Sequence, residues 1–233
     1  MNNIPMTTPV TAGDAPTISV AAARVAIGAA ALVPVLLAAL HVLSPEFDPS
    51  WRVVSEYAHG NYAWVLSLMF IAWALSSWAL AFTIRSQLTT TAGKVGLVLL
   101  VVAGLGEAMA SVFDIDHPLH GLAGMLGVLG LPIAAMLISA SLGRTAAWSV
   151  ARRVLLWTAN LTWMILALMI AALVTMMVGY TRAGNKMTPD VIALVGWPNR
   201  MLVVLFCVWV MTVAYHAIRL RDRRSVVQSS RTR

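Results

Sequence analysis

The sequence predicts an all-α fold, a polytopic membrane bundle of six transmembrane helices with both termini in the cytoplasm. Of its 233 residues, 60% are hydrophobic and 11% are charged, and the mean hydropathy is +0.82. That composition leaves too little charged surface for a soluble domain of this length. Six apolar runs approach the roughly 20 residues with which a helix crosses a bilayer core, and Lys and Arg concentrate in alternate loops.

The six predicted spans cover residues 20–42, 62–84, 95–112, 119–142, 154–178 and 202–220. Each is predicted to be a helix because lipid offers no partner to the unpaired backbone groups of an open strand. Residues 1–18 are rich in Thr, Pro and Ala and lack the basic start of a signal peptide, so we expect a disordered cytoplasmic segment. Residues 19–220 then form one transmembrane domain, followed by a basic cytoplasmic tail, residues 221–233.

Small residues distinguish the fourth span. Gly121, Gly124, Gly127 and Gly130 recur at every third position, and small residues allow helix backbones to approach closely. The fourth span is therefore predicted to lie at the packed centre of the bundle. The fifth span is rich in Met, which is typical of adaptable apolar packing.

The loop before the sixth span carries the start signals of a helix. Thr-Pro-Asp at residues 188–190 provides a cap and a first-turn proline. Residues 191–195 are therefore predicted to form a short interfacial helix. Gly-Trp-Pro at residues 196–198 is expected to break that helix before the sixth span begins.

The positions of the basic residues predict the orientation and the partners. The loops around residues 43–61, 113–118 and 179–201 contain four of the 16 Lys and Arg residues, so the positive-inside rule places these loops outside and both termini inside. Because the net charge of +7 follows this loop pattern, no nucleic-acid partner is expected. The predicted partners are the lipid bilayer and, at the basic C-terminal tail, anionic lipid headgroups.

Ionisable residues gather in the turn between the third and fourth spans. Asp114, Asp116, His117 and His120 lie within this short turn, and carboxylates with imidazoles suit Zn²⁺ or a similar divalent metal. These four residues are the predicted metal ligands, although no established metal spacing is matched. Asp116 and His117 would serve equally to cap and solvate the turn, so both interpretations stay open.

Glu107 lies inside the third span, about five residues or ~7 Å from its predicted outer end. A carboxylate at that depth is costly unless it is protonated, paired or facing water, so its side chain is predicted to point into the bundle. With His120 it forms a candidate acid/base pair. The alternative is a packing role, in which Glu107 pairs with His120, Arg182 or Arg200.

A segment on the same outer side, Val-Ser-Glu-Tyr-Ala-His-Gly at residues 54–60, precedes the second span. Together with the acidic turn, the histidine that opens the fourth span, and residues 196–200, it resembles domain-of-unknown-function family 998 over about residues 20–220. The chain departs from the family pattern in having Trp-Pro-Asn at residues 197–199. The resemblance implies six helices and no established activity, and it marks six positions of interest: Ser55, Glu56, Tyr57, Asp116, His120 and Arg200.

The short loops and this resemblance favour a bacterial inner membrane, with the site facing the periplasm or the exterior. Three kinds of function remain open. A metal-assisted hydrolase or lipid-modifying enzyme would use an outward-facing pocket for a small-molecule or lipid substrate. Its candidate catalytic residues are Glu107, His120, Ser55, Glu56 and His59, and the Ser55-to-His59 spacing is similar to that of the alkaline ceramidase type of membrane hydrolase.

A non-catalytic membrane component would use the same polar rim to sense or to scaffold. Its rim would also include Tyr57, Arg182 and Arg200. A transporter or permease is the least supported alternative, because ionisable groups do not continue from Glu107 toward the inner face.

Overall fold

Six long helices dominate the structure, a computed structural model that describes residues 18–188 and 191–231. They are α1 (Val20–Leu43), α2 (Ala63–Ile84), α3 (Thr91–Val112), α4 (His120–Leu142), α5 (Arg152–Arg182) and α6 (Gly196–Arg231). Short 3-10 helices at Val54–His59, Arg85–Gln87 and Ala146–Ala151 lie in the loops. The described ranges contain no strand.

All six helices are long and apolar enough to cross a membrane, which confirms the predicted all-α bundle of six spans. The bounds of α1 to α4 agree with the prediction to within four residues, whereas α5 and α6 are longer than predicted. The 36 residues of α6 correspond to about 54 Å, so this helix continues past a bilayer core of roughly 30 Å. The predicted N-terminal segment lies, except for Ile18, outside the described residues.

The predicted short helix at residues 191–195 is wrong. These residues are not helical, and α6 begins at Gly196, inside the segment that was expected to interrupt a helix. The Asn199 N–H donates to the Val195 carbonyl at 3.1 Å. Pro198 lies in this first turn, where a backbone N–H has no partner within the helix in any case. A proline can therefore begin α6, although the same residue would have broken the interior of a helix.

Gly196 allows α6 to start against the loop that follows α1. Its N–H donates to the Ser50 carbonyl at 3.0 Å, and a Cβ atom at this position would lie 2.7 Å from the carbonyl oxygen of Arg52. A larger residue would force these two segments apart. Gly-Trp-Pro at residues 196–198 therefore marks the start of α6, at the point where α6 closely contacts the loop after α1.

Consecutive helices pack against each other, and α6 closes the ring against α1. α2 also contacts α6 across the bundle. In α2, 61% of an apolar 18-residue stretch is buried, compared with 39% of the corresponding stretch in α4. The prediction that the fourth span forms the packed centre is therefore wrong, because α2 holds that place and α4 packs mainly on α3.

The contact between α3 and α4 depends on Gly106 of α3. A Cβ atom at Gly106 would lie 2.6 Å from the Ala123 carbonyl oxygen and 2.9 Å from the backbone nitrogen of Gly127. Around Gly121 and Gly124, by contrast, nothing lies within 4 Å of a Cβ atom. The regular glycine spacing in α4 therefore does not by itself define the close interface. The close approach depends on Gly106 of α3 instead.

Gly106→Ala is expected to lower the thermal unfolding midpoint of the detergent-purified protein, because α3 and α4 would have to separate. Overpacking of this kind costs about 1–3 kcal/mol. Gly121→Ala is the matched control, since the same methyl group finds open space there. Equal midpoints for the two variants would contradict the close approach.

Candidate functional site

The loops at residues 44–62 and 113–119 and the described parts of the loop before α6, residues 183–188 and 191–195, lie together at one end of the bundle, which we call the polar end. Arg200 organises this end from the first turns of α6. Its side chain is only 3% exposed, and its guanidinium donates to the carbonyl oxygens of Arg52 at 2.5 Å and Gly196 at 3.1 Å. The guanidinium carries five N–H donors, so one side chain can hold several loop carbonyls at once. Arg200 thereby joins α6 to the loop after α1.

Arg200 also contacts two ring side chains. It donates to His41 Nε2 at 2.8 Å and to the Tyr57 hydroxyl at 3.2 Å. Because a guanidinium can only donate, His41 Nε2 is the acceptor, and its Nδ1 then donates to the Leu37 carbonyl at 2.7 Å. Tyr57 is fully buried. Arg200 therefore anchors both the end of α1 and the 3-10 helix that carries the Ser-Glu-Tyr segment.

Glu56 stabilises the start of the same 3-10 helix. One of its carboxylate oxygens accepts the Val53 N–H at 3.1 Å, and the other forms an ion pair with Arg52. From α6, the Asn199 side chain accepts the Val54 N–H at 2.9 Å. In this structure Glu56 holds the loop, and it does not line the cavity described below.

Asp48 stabilises the turn that leads into this segment. Its carboxylate accepts the backbone N–H of Ser50 at 2.8 Å and the Ser50 hydroxyl at 2.7 Å. These two hydrogen bonds, helped by the nearby charge of Arg200, lower the pKa of Asp48. The ionised carboxylate thus favours the folded turn.

A cavity of about 90 Å³ lies behind this loop, among α2, α3, α4 and α6. Most of its wall is apolar and includes Phe70, Ala110, Val128 and Leu202. Five polar or partly polar side chains interrupt that wall: Ser55, Trp73, Glu107, His120 and Asn199. The structure thus brings three of the predicted catalytic residues, Ser55, Glu107 and His120, to one cavity.

Glu107 lies in the cavity wall and is 3% exposed, which confirms that its side chain points into the bundle. The Ser77 hydroxyl donates to Glu107 Oε2 at 3.0 Å, so the partner is neither of the arginines considered from the sequence. Within the described part of the chain, Glu107 Oε1 has no hydrogen-bond partner. The same is true of the indole N–H of Trp73, which lines the same cavity.

The end of α3 orients His120, the first residue of α4. His120 Nδ1 lies 2.8 Å from the Phe113 carbonyl oxygen. A carbonyl oxygen can only accept, so Nδ1 carries a hydrogen, and Nε2 of the neutral ring is an acceptor. A backbone carbonyl thereby selects the tautomer in which Nε2 can take up a proton.

The other residues of the acidic turn lie outside the cavity. His59 Nε2 and Asp116 Oδ2 are 2.9 Å apart on exposed side chains, and the His117 ring stacks on Phe113 with centroids 4.4 Å apart. In the described ranges, no three His, Cys, Asp or Glu side chains are grouped so that they could hold a metal ion. The metal set of Asp114, Asp116, His117 and His120 stays a prediction. Arg182 lies at the exposed end of α5.

Three residues of this site were not predicted as members: Trp73, Ser77 and Asn199. A signal for Ser77 was present, because adjacent serines at residues 76 and 77 interrupt an apolar span, and polar side chains in such spans commonly bond to other helices. Trp73 resembles an ordinary apolar helix residue, and its role depends on the neighbouring helices. His41 lies 159 residues from its partner Arg200, so local sequence could not pair them.

The fold and the site define a class, that of all-α multi-pass membrane proteins with a buried polar site near one end of the bundle. Within that class, the family described as protein of unknown function (DUF998) matches residues 26–216. The chain belongs to this family, which confirms the resemblance based on the Ser-Glu-Tyr segment, the acidic turn and residues 196–200. No curated protein and no solved structure matches the chain significantly.

Arg200→Lys is expected to destabilise the protein although it preserves the charge, because an ammonium group cannot replace the planar fork that reaches His41, Tyr57 and the loop carbonyls. We expect a loss of about 2–4 kcal/mol, measured as a lower thermal unfolding midpoint in detergent. Arg182→Lys, the same change at an exposed position, should leave the midpoint unchanged. A midpoint for Arg200→Lys that equals the control would show that the loop does not depend on Arg200.

Proposed function

We propose that the cavity at the polar end binds a small amphiphilic molecule and presents Glu107 and His120 to it as an acid/base pair. The protein would then be a membrane-embedded enzyme of the hydrolase or lipid-modifying kind. One observation carries this proposal: two buried polar atoms that have no partner among the described residues, Glu107 Oε1 and Trp73 Nε1, belong to residues that line the same cavity.

Such a pair of atoms is unusual in a folded protein. About nine in ten buried polar groups have a hydrogen-bond partner, and each one left unpaired costs about 1–3 kcal/mol. A cavity of about 90 Å³ is well above the roughly 10–15 Å³ that a single water needs. Its occupant would accept a hydrogen bond from the Trp73 indole and bond to the Glu107 carboxyl.

The cavity wall indicates the kind of occupant. Phe70, Ala110, Val128 and Leu202 offer apolar surface, whereas the polar groups are few and include Ser55 and Asn199. Ligand sites of this composition use apolar contacts for affinity and a few polar groups for orientation. A hydrocarbon part with a compact headgroup that can form hydrogen bonds would satisfy both.

The orientation of His120 supports acid/base chemistry. The Phe113 carbonyl holds Nδ1 and leaves Nε2 as the proton acceptor. Glu107 provides a carboxyl group in the same cavity, and Ser55 and Asn199 supply hydroxyl and amide groups there. These are the residue types that general acid/base catalysis needs, and no step of it requires the predicted metal.

The positions of the charges support an outward orientation of this cavity. Lys and Arg cluster toward the opposite end of the bundle, which the positive-inside rule places in the cytoplasm. In a bacterial inner membrane the polar end would face the periplasm, and the basic continuation of α6 would contact anionic headgroups of the inner leaflet. A substrate would then reach the cavity from the outer leaflet or from outside the cell.

Gly124→Leu provides the sharpest test, because Gly124 lines the cavity and has open space where a side chain would extend. We expect native mass spectrometry of the full chain, purified in mild detergent, to detect a bound small molecule that this variant lacks. Gly121→Leu adds the same side chain one turn away, at a position that does not line the cavity, and should retain it. Equal occupancy in both variants would contradict the proposed site.

Glu107→Gln tests the chemical role of the carboxyl group. Gln is nearly isosteric and can still accept from Ser77, so the fold should persist while affinity for the occupant falls by about tenfold, as expected for one lost hydrogen bond. Cells that express the wild-type protein should differ in their lipid and metabolite profiles from cells that lack it. Cells that express Glu107→Gln should not show these differences. Asp48→Asn, at an exposed carboxylate in the loop, is the control. Identical profiles for Glu107→Gln and the wild type would exclude a catalytic carboxyl.

A further inference from the structure

A second cavity, of about 290 Å³, lies at the opposite end of the bundle. The 3-10 helix Ala146–Ala151 forms one side, and the part of α6 that carries Tyr215, His216, Arg219 and Arg223 forms the other. It shares no residue with the cavity at the polar end. An inference from it is therefore independent of the proposed enzyme, and it specifies where the basic part of α6 would contact anionic headgroups.

Arg219, an exposed residue that lines this second cavity, contacts Tyr215 one turn earlier in α6. Its Nε donates to the Tyr215 hydroxyl at 2.9 Å, and its guanidinium lies 5.3 Å from the Tyr215 ring centroid. In the described part of the chain, its two terminal nitrogens have no partner, and neither Arg219 nor Arg223 forms an ion pair with a carboxylate, Asp222 included. The tyrosine thus orients a guanidinium whose terminal fork is free.

Trp148 also lines this cavity. Its side chain is 2% exposed, and its indole N–H has no hydrogen-bond partner among the described residues. An indole N–H can only donate, and a buried donor without a partner is costly. The cavity is therefore lined by two arginines and by a tryptophan whose buried indole N–H lacks an acceptor, and its described lining residues include no carboxylate.

We propose that this cavity binds a phosphate group, with Arg219 and Arg223 pairing with its oxygens and Trp148 Nε1 donating to one of them. The guanidinium fork matches the geometry of phosphate oxygens and can bind two of them together. The wall also includes Val150, which is 75% exposed, and Leu220. These apolar groups favour a phosphate carried by an anionic membrane lipid, whose chains would lie along them, over phosphate free in solution.

The test uses the full chain, purified in nonionic detergent and stripped of lipid. Its thermal unfolding midpoint is measured during titrations with dihexanoyl phosphatidylglycerol, with dihexanoyl phosphatidylcholine and with inorganic phosphate. We expect phosphatidylglycerol to raise the midpoint more than the other two do. In the double variant Arg219→Gln/Arg223→Gln that rise should disappear, and in Trp148→Phe the apparent affinity should fall about tenfold, as for one lost hydrogen bond to a charged group.

Arg144→Gln/Arg153→Gln is the matched control, because it removes the same charge from two exposed arginines that do not line the cavity. It should keep the full response to phosphatidylglycerol. A response to inorganic phosphate of the same size, lost in Arg219→Gln/Arg223→Gln, would support the site and identify soluble phosphate as its ligand. A response that survives in that variant, or that the control loses equally, would overturn the proposal.

Discussion

The buried guanidinium of Arg200 is the constraint on which the polar end of the structure depends. An arginine cannot lose its proton, so its charge must be surrounded by acceptors wherever a helix carries it out of water. The carbonyls of Arg52 and Gly196, the hydroxyl of Tyr57 and the imidazole of His41 fill that role. The loop after α1 therefore folds back over the start of α6, and α6 closes the ring of helices against α1.

The cavity is a consequence of this arrangement. Anchoring Tyr57 on Arg200 places Ser55, two residues earlier, above the space between α2, α3 and α4. The same turn of α6 contributes Asn199, whose side chain holds the Val54 N–H. Glu107 reaches the space from below because Gly106 allows α3 to lie close against α4. Ser55 and Asn199 thus reach the cavity beside interactions that satisfy one buried charge, whereas Glu107 reaches it through the packing of α3 on α4.

The membrane class and the six spans could be predicted because bilayer thickness constrains sequence directly, as length and hydropathy. The burial of Glu107 could be predicted as well, because a carboxylate at that depth in the bilayer is costly unless it points into the bundle. The pairings of Arg200 with His41 and of Ser77 with Glu107 could not be predicted, because they depend on which helices become neighbours. The start of α6 was predicted wrongly because glycine and proline can either interrupt a helix or lie at its beginning. The hydrogen bond from Gly196 to Ser50, a tertiary contact, favours the second arrangement here.

The two cavities differ in the chemistry of their unpaired groups, and that difference separates their proposed roles. At the polar end, a carboxyl oxygen of Glu107 and the indole N–H of Trp73 have no partner among the described residues. The occupant must accept from the indole, and it can exchange a proton with the carboxyl group, which either donates or accepts. At the basic end, Trp148, Arg219 and Arg223 line the cavity with groups that can only donate. Of these, the buried Trp148 indole N–H has no partner among the described residues. None of these three groups accepts a proton near neutral pH. His216 in the same wall can accept one, but the described residues that line this cavity include no carboxyl group with which it could exchange that proton. The first cavity therefore suits chemistry, whereas the second suits the retention of an anion.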